Sequence, residues 1–408
     1  MGKLGGGLVA AMSVVTGTVC LSAFAGAASG ATQESSFKLS SPVLIGASMN
    51  LAGEDSVSIN DYYDGIKMAI GQINRAGGIG GKQVQLVRKP LSVINLGTDP
   101  GQFLAMVQSK PTVIIGIEAV AGIAPLLSVI NQSKIPVMAV TPVGNTNLYA
   151  GPRSSQYLWY PQAATQAITQ AGVQYFAKDL KLNKIALMAT NEAYGTGSVQ
   201  ASESAMTKLG LKPVVVRQHT PEATDLTSDI LAVKDSGANA IMDWDYPNPL
   251  AVLLKQMPQN GLNVPVMSGA SANIDVNNHL VDNSQIGKLY VSQQCDPAAT
   301  KGTSSALKKF IVGYQKLYNA TPSADSASAY DSVYITMAAV NKAKSNTPQK
   351  VNQALDGLSV TKNVVCAPSY KADGAHVFDH TVTISKFSND GTDSQVKVIS
   401  VPPIPKQG

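Results

Sequence analysis

Short apolar runs that do not alternate, each followed by a helical pattern, restrict this chain's fold more tightly than any other feature. Val43–Ala47, Gln83–Arg88, Thr112–Ile115 and Pro136–Val140 read as strands, with helices over Asp61–Ala76 and Ile123–Asn131. In Asp61–Ala76, Tyr62, Ile66, Ala69, Ile70 and Ile73 recur at helical spacing until Gly77-Gly78 stops the pattern. The alternation resumes with a long helix in Gln162–Leu180, strand Lys184–Ala189, helix Ser198–Leu209 and strand Pro213–Arg217. Helix Leu226–Ser236, strand Ala240–Met242, helix Leu250–Asn260 and strand Val264–Met267 follow. Strands apolar on both faces and separated by helices belong to parallel sheets in α/β architecture. Two consecutive blocks of this kind, 41–155 and 180–290, predict two similar lobes.

Loops rich in Gly, Ser and Asn follow the strands: Ala47-Ser48-Met49-Asn50, Gly116-Ile117-Glu118, Thr141-Pro142-Val143-Gly144-Asn145 and Asn191-Glu192-Ala193-Tyr194-Gly195. Open α/β sheets bind ligands at the carboxyl ends of their strands. Two such edges facing each other make a cleft suited to a small molecule.

Composition narrows the function. Apolar residues make up 44% of the 408 and charged residues 14%, which excludes a disordered chain. The net charge of +5 comes without a block of Lys and Arg, so no nucleic-acid partner is expected. At the N-terminus Lys3 precedes the uncharged stretch Leu8–Leu21, and Ala23-Phe24-Ala25 and Ala25-Gly26-Ala27 fit a small-residue cleavage site. Residues 1–27 therefore read as a signal peptide, the alternative being a membrane anchor, and 28–41 as a polar linker. Export places the protein in the periplasm or at the cell surface. It leaves Cys295 and Cys366, which either form a disulfide or stay as two thiols.

Catalytic signatures fail. Gly81-Lys82 is followed by Gln83, not by the Ser or Thr of a phosphate loop. Gly269-Ala270-Ser271-Ala272-Asn273 lacks the last glycine of an esterase elbow. Ser305-Ala306-Leu307-Lys308 lacks the companion motifs of the serine–lysine enzymes. His376 and His380 are four apart, but the segment reads as strand and turn, so both are expected as solvated surface histidines and not as metal ligands. No enzyme, cofactor or metal is expected.

Several segments carry a resemblance. Val43-Leu44-Ile45-Gly46 with Leu51-Ala52-Gly53, and Asp64-Gly65 through Ile73-Asn74-Arg75-Ala76-Gly77-Gly78-Ile79-Gly80-Gly81-Lys82, are similar to segments of one family. So are Ile135-Pro136-Val137, Tyr194-Gly195, Phe310–Tyr318 and Ala329-Tyr330-Asp331-Ser332. In this order and spacing they resemble the solute-binding proteins of branched-chain amino-acid ABC transporters, the leucine/isoleucine/valine-binding family with the type I periplasmic binding fold. The resemblance implies two Rossmann-like α/β lobes, parallel sheets flanked by helices, joined by three hinge crossovers. Lobe one would hold 41–160 plus 294–365, and lobe two 161–293 plus 366–400. Cys295 and Cys366 would then lie near crossovers and tie two hinge strands together.

The departures bear on the ligand. The family places a hydroxyl for the amino-acid carboxylate where this chain reads Gly116-Ile117-Glu118-Ala119-Val120-Ala121-Gly122. The acid that holds the ammonium aligns with Ser268-Gly269-Ala270-Ser271, which has no carboxylate. Asp243-Trp244-Asp245-Tyr246, at the end of a lobe-two strand, supplies acids beside aromatics that could hold a cation. The alternative is that Trp244 packs in the core while the acids cap the next helix. The expected ligand residues are Tyr194, Asn145, Thr146, Glu118, Asp243, Trp244, Asp245 and Tyr246. What the resemblance implies is a monomeric extracytoplasmic protein that captures a small polar solute by hinge closure and delivers it to an ABC permease. The alternative is a ligand-sensing receptor domain of the same fold.

Overall fold

The alternation is realised as two separate sheets. The computed structural model describes residues 37–48, 56–89, 100–116, 123, 126–139, 155–379 and 381–402. Residues 1–27, expected as a signal peptide, and most of the expected linker lie outside the described residues. The first half runs β1 (Val43–Ser48), α1 (Ser56–Arg75), β2 (Val84–Lys89), α2 (Pro100–Gln108), β3 (Val113–Ile115), α3 (Leu127–Ser133), β4 (Val137–Met138) and β5 (Leu158–Trp159). These five strands form one all-parallel sheet in the order β2-β1-β3-β4-β5.

The chain continues through α4 (Thr165–Gln174), β6 (Ile185–Thr190), α5 (Ala193–Thr207), β7 (Val215–His219), α6 (Thr227–Asp235) and β8 (Ala240–Trp244). Then come α7 (Pro247–Gln259), β9 (Val266–Ser268), α8 (Ser271–Asn277) and β10 (Leu289–Gln293). It ends with β11 (Ala299–Lys301), α9 (Ser305–Tyr318), α10 (Ala324–Ala343), α11 (Pro348–Leu355), the short pair β12 (Ser359–Val360) and β13 (Tyr370–Lys371), β14 (Thr381–Phe387) and β15 (Asp393–Ser400). The second sheet has the order β11-β15-β14-β10-β9-β8-β6-β7. All six residues of β6 and all five of β8 are buried, as strands apolar on both faces require.

Two glycines of the resembling segments allow close approaches. A Cβ at Gly65 of α1 would collide with the Ser326 carbonyl of α10, and one at Gly195 of α5 with the Thr190 carbonyl of β6. With Gly65 in place, Tyr62, Ile66, Ala69 and Ile73 share one core with Tyr330, Val333 and Val340. Each such large side chain, once buried, contributes about 1.5–3 kcal/mol. Asn74 explains its own place in the motif. Its side chain accepts from Val84 N and donates to Val84 O, both at 2.8 Å, and so fixes the start of β2.

Several boundaries differ from the expectation. The long helix over Gln162–Leu180 is α4 followed by one π-helical turn, Tyr175–Asp179. The antiparallel hairpin β14–β15 is absent from the sequence reading, since β15 has only its first residue buried and carries little apolar signal. The third crossover also moves. Residues 366–400 were expected in lobe two, yet Tyr370, Ala372 and Phe378 lie in the α1–α10 core, and Ala375 and Val377 pack with Ile114 and Val137 of the first sheet. Val377 bridges Tyr160 in parallel register. Only from Thr381 does the chain join the second sheet. Conversely β11, expected in lobe one, pairs with β15. His376 is not a solvated histidine. It stacks on Trp159 at 3.8 Å, 6° from parallel, and its Nδ1 donates to Leu158 O at 2.9 Å. His380 lies outside the described residues.

Cys295 and Cys366 form a disulfide, with Cα atoms 5.0 Å apart across a separation of 71 residues. The bridge does not tie two hinge strands. It anchors the second crossover, just after β10, to a segment held on α10. Asp331 holds that segment: its buried carboxyl accepts from Val365 N (2.8 Å), Cys366 N (2.9 Å) and the Tyr370 hydroxyl (2.7 Å).

Replacing both cysteines by serine is expected to cost about 4 kcal/mol in the chain-entropy account, read as a lower denaturant midpoint with a slope that rises as the uncrosslinked denatured chain exposes more surface. In the same assay Asp331→Ala, which strands two buried amides and a phenol, is expected to cost about 3 kcal/mol. A loss below ~1 kcal/mol would show that water replaces the carboxyl.

Candidate functional site

The carboxyl ends of β6, β7, β8 and β9 converge on a group of polar and aromatic side chains in the second sheet. Glu192 caps α5, accepting from Tyr194 N at 2.7 Å and from Gly195 N at 2.9 Å, while the Thr190 hydroxyl donates to it at 2.6 Å. This places Tyr194 at the first turn of α5, half-buried. A Cβ at Gly269 would lie 3.3 Å from the Tyr194 hydroxyl, so Gly269 leaves room for the phenol. The Tyr246 ring sits 5.8 Å from that of Tyr194, tilted by 32°.

The structure divides Asp243-Trp244-Asp245-Tyr246. Trp244 belongs to the core, 1% exposed, and its Nε1 donates to Ser202 Oγ at 2.9 Å. The expectation that Trp244 lines a ligand cleft is corrected by its direction: successive side chains of β8 point to opposite faces, and Trp244 shares with Met242 the face covered by α4 and α5. The acids do not cap the next helix either. Tyr246 holds the N-cap position of α7, without a side-chain cap bond. Asp243 and Asp245 are both buried at the strand end.

A relay of charged groups leads inward to Asp245. Arg217 Nε donates to Asp229 at 2.7 Å, Asp229 lies 3.5 Å from His219 Nδ1, and His219 Nε2 contacts Asp245 Oδ2 at 3.0 Å. Burial pushes Asp245 up to about 7 and lowers His219. Asp243 is raised well above the carboxylate range, by burial first and by the Asp245 charge next. Asp275, buried in α8, is pushed up to about 9 by burial, reinforced by Asp243. The Tyr194 hydroxyl is raised by burial and then by Asp243, Glu192, Asp245 and Asp325. Asp325 belongs to the first turn of α10, in the body of the first sheet, so the group faces that body. Carboxyls this close in a low-dielectric floor hold protons until a cation or donor replaces them.

The sequence reading named Tyr194, Asp243, Asp245 and Tyr246, which the structure brings together. It missed His219, Asp229, Asp275 and Asp325. Only His219 carried a usable signal, a histidine at the end of an apolar strand. Glu118, Asn145 and Thr146 lie outside the described residues. Away from this group, a cavity of about 340 Å³ lies at the amino ends of β9 and β10, walled by Leu254, Met257, Leu262, Val266 and Leu289. Among the described residues no group of three or more His, Cys, Asp or Glu is placed to hold a metal, and no helix is long and apolar enough to cross a membrane.

Comparison with known proteins fits these two sheets. A family model described as "Periplasmic binding protein" matches residues 42–392. The chain belongs to the periplasmic binding protein family. A relative from Brucella suis, a Leu/Ile/Val-binding protein homolog, is 24% identical over 362 residues, 84% of this chain and 86% of the relative. A branched-chain amino acid transporter substrate binding protein from Streptococcus pneumoniae, solved in complex with isoleucine, superposes with a TM-score of 0.74 at 20% identity. The match covers 89% of this chain and all of that one. A solute binding protein of an ABC transporter from R. palustris, in complex with benzoate, gives 0.74 at 12% identity, covering 88% of this chain and 97% of that one. At such identities the structures share the fold. The family is one of substrate-binding proteins of the ABC-transporter type, and extracytoplasmic.

Asp275 makes stability depend on pH. Its folded value of about 9 exceeds its ordinary 3.8, so the folded chain holds the extra proton between these values and loses stability as pH rises through them. Asp275→Asn is expected to flatten the fall of melting temperature between pH 5 and 9. An unchanged slope in thermal unfolding across that range would assign the fall to other groups.

Proposed function

We propose that this protein is the extracytoplasmic capture component of an ABC importer. A small polar solute binds between the carboxyl edges of the two sheets, the lobes close about their crossovers, and the closed form is presented to a membrane permease. The observation that carries this reading is the half-buried Tyr194, set with Tyr246, Asp243 and Asp245 at the strand ends of the second sheet and facing Asp325 of the first body. These groups form one side of the proposed site. Contacts from both lobes would favour the closed state by as much as they differ between open and closed forms. The lobes in this proposal are the body of the first sheet, with α1, α9, α10 and residues 366–378, and the body of the second sheet. Family membership and the folds shared with isoleucine- and benzoate-bound proteins support capture of a small molecule. They leave its class to the residues of this chain. Catalysis and a cofactor have no part in the proposal, and the protein would act as a monomer.

The test is a thermal-shift panel on the mature chain stripped of copurified solute, covering aliphatic and aromatic amino acids, aromatic carboxylates, amides and amines. A ligand at about 100 times its dissociation constant adds roughly 2.7 kcal/mol, a midpoint shift of about 3 °C for a chain of this size. The same ligand is expected to lower the radius of gyration in small-angle scattering, and Tyr194→Ala to abolish both effects. A ligand that shifts the midpoint of wild type and Tyr194→Ala equally would place capture elsewhere.

A further inference from the structure

The floor of the proposed site is over-supplied with carboxylate oxygens. Asp243 Oδ2 faces the Ser268 hydroxyl at 3.5 Å, and Asp243 Oδ1 has no hydrogen-bond partner. Asp245 Oδ2 is taken by His219, while Asp245 Oδ1 has none. Both oxygens of Asp275 are buried and without a partner. The Asp243 and Asp245 carboxyls bond to each other and the Thr190 backbone adds a bond to Asp245, but no further side chain donates to Asp243 Oδ1, Asp245 Oδ1 or either oxygen of Asp275. Native interiors rarely leave buried acceptors unpaired, so these oxygens call for a partner that the chain does not itself supply, a water, an ion or a ligand. The positive charge that reaches these acids comes from Lys255, which acts on Asp275, while His219, which burial holds toward its neutral form, is already taken up by Asp229 and Asp245. Glu192 and Asp325 add negative charge around Tyr194.

We propose, building on the capture reading above, that the solute is an organic cation bearing N–H donors, an ammonium or a guanidinium, seated on Asp243, Asp245 and Asp275 beside the Tyr194 and Tyr246 rings. The unpaired groups are acceptors only once ionised, so they call for donors. A quaternary ammonium supplies charge but no N–H, and an aliphatic or aromatic carboxylate would bring a further negative charge to acids that already repel one another. The tilted Tyr194 and Tyr246 rings supply faces on which a guanidinium or a methylene chain can lie. The site would also exchange protons for the ligand, because carboxyls that are neutral when empty must ionise to hold a cation.

Calorimetric titration of the mature chain at neutral pH tests this, with agmatine, 1,4-diaminobutane, arginine, leucine, choline and benzoate as probes. At least one of the first three is expected to bind about tenfold or more tighter than leucine, choline or benzoate. Its binding enthalpy should vary with buffer ionisation enthalpy as protons are released. Asp243→Asn and Asp275→Asn should each weaken it by about thirtyfold or more, the loss expected when one partner of a buried charge pair is removed. Both variants keep the side-chain volume, and their melting temperatures report whether they fold. If Asp243→Asn does not fold, Asp275→Asn alone decides the residue test. Choline binding as tightly as the amines, or amine binding indifferent to the folded variants, overturns the proposal. Leucine or benzoate binding in preference to every amine overturns it while leaving capture intact. A panel that yields no binding at all overturns both.

Discussion

A buried carboxyl, Asp331, holds together the region on which the rest of the structure depends. Its three donors come from Val365, Cys366 and Tyr370, in the segment that leads into β13, and it pins that segment to α10. Cys366 lies in the pinned segment, and its disulfide fixes the second crossover at Cys295. Ser328, one turn before Asp331 on the same helix, accepts from Gln294 Nε2 at 3.1 Å, next to Cys295. The path of the chain out of the second sheet is therefore set by one face of α10. Burial pushes Asp331 up to about 7 although all three donors favour its ionised form. The carboxyl is retained there for the contacts it organises, not for a low-energy charge.

The second sheet uses its acids differently. Asp243, Asp245 and Asp275 sit where an α/β sheet offers its strand ends, yet their donors within the chain fall short of their acceptors. Burial of an unpaired carboxylate is costly enough that the group takes a proton instead, which is the state that burial and mutual repulsion impose here. Trp244 sets the limit of the group on one side, because its indole is committed to Ser202 and the core. Strand alternation separates the two roles within four residues: Met242 and Trp244 face the α4–α5 core, and Asp243 and Asp245 do not.

Much of the architecture was legible before any coordinates. The non-alternating strands β1, β3, β6 and β8 and the amphipathic α1 stood out because burial on both faces, or on one helical stripe, leaves a periodic trace. Tyr194-Gly195 could be read because it follows a strand end and is similar to the pair that the resembling family carries there; the close approach that Gly195 permits is visible only in the structure. The elements that escaped were those with weak periodicity. β15 has only its first residue buried, and α2, with nine residues, offers too short a pattern. Asp275 and Asp325 escaped because an acid on a helix reads as ordinary surface, and nothing local reveals that another element buries it.

The sequence by itself determined the class of fold, the parallel pairing of the strands that alternate with helices, the pairing of Cys295 with Cys366 as a possibility, and the strand ends at which a ligand could sit. These follow from local periodicity and residue type, which the chain carries along its length. Tertiary structure alone decided where the third crossover falls, that His376 stacks on Trp159, that Trp244 is core, and that Asp243, Asp245 and Asp275 share one buried floor. Each of these is set by contacts between residues tens to hundreds of positions apart, such as Tyr160 with Val377 and His219 with Asp245. The free energy of such a contact depends on what else is packed around it, and that packing exists only in the folded chain.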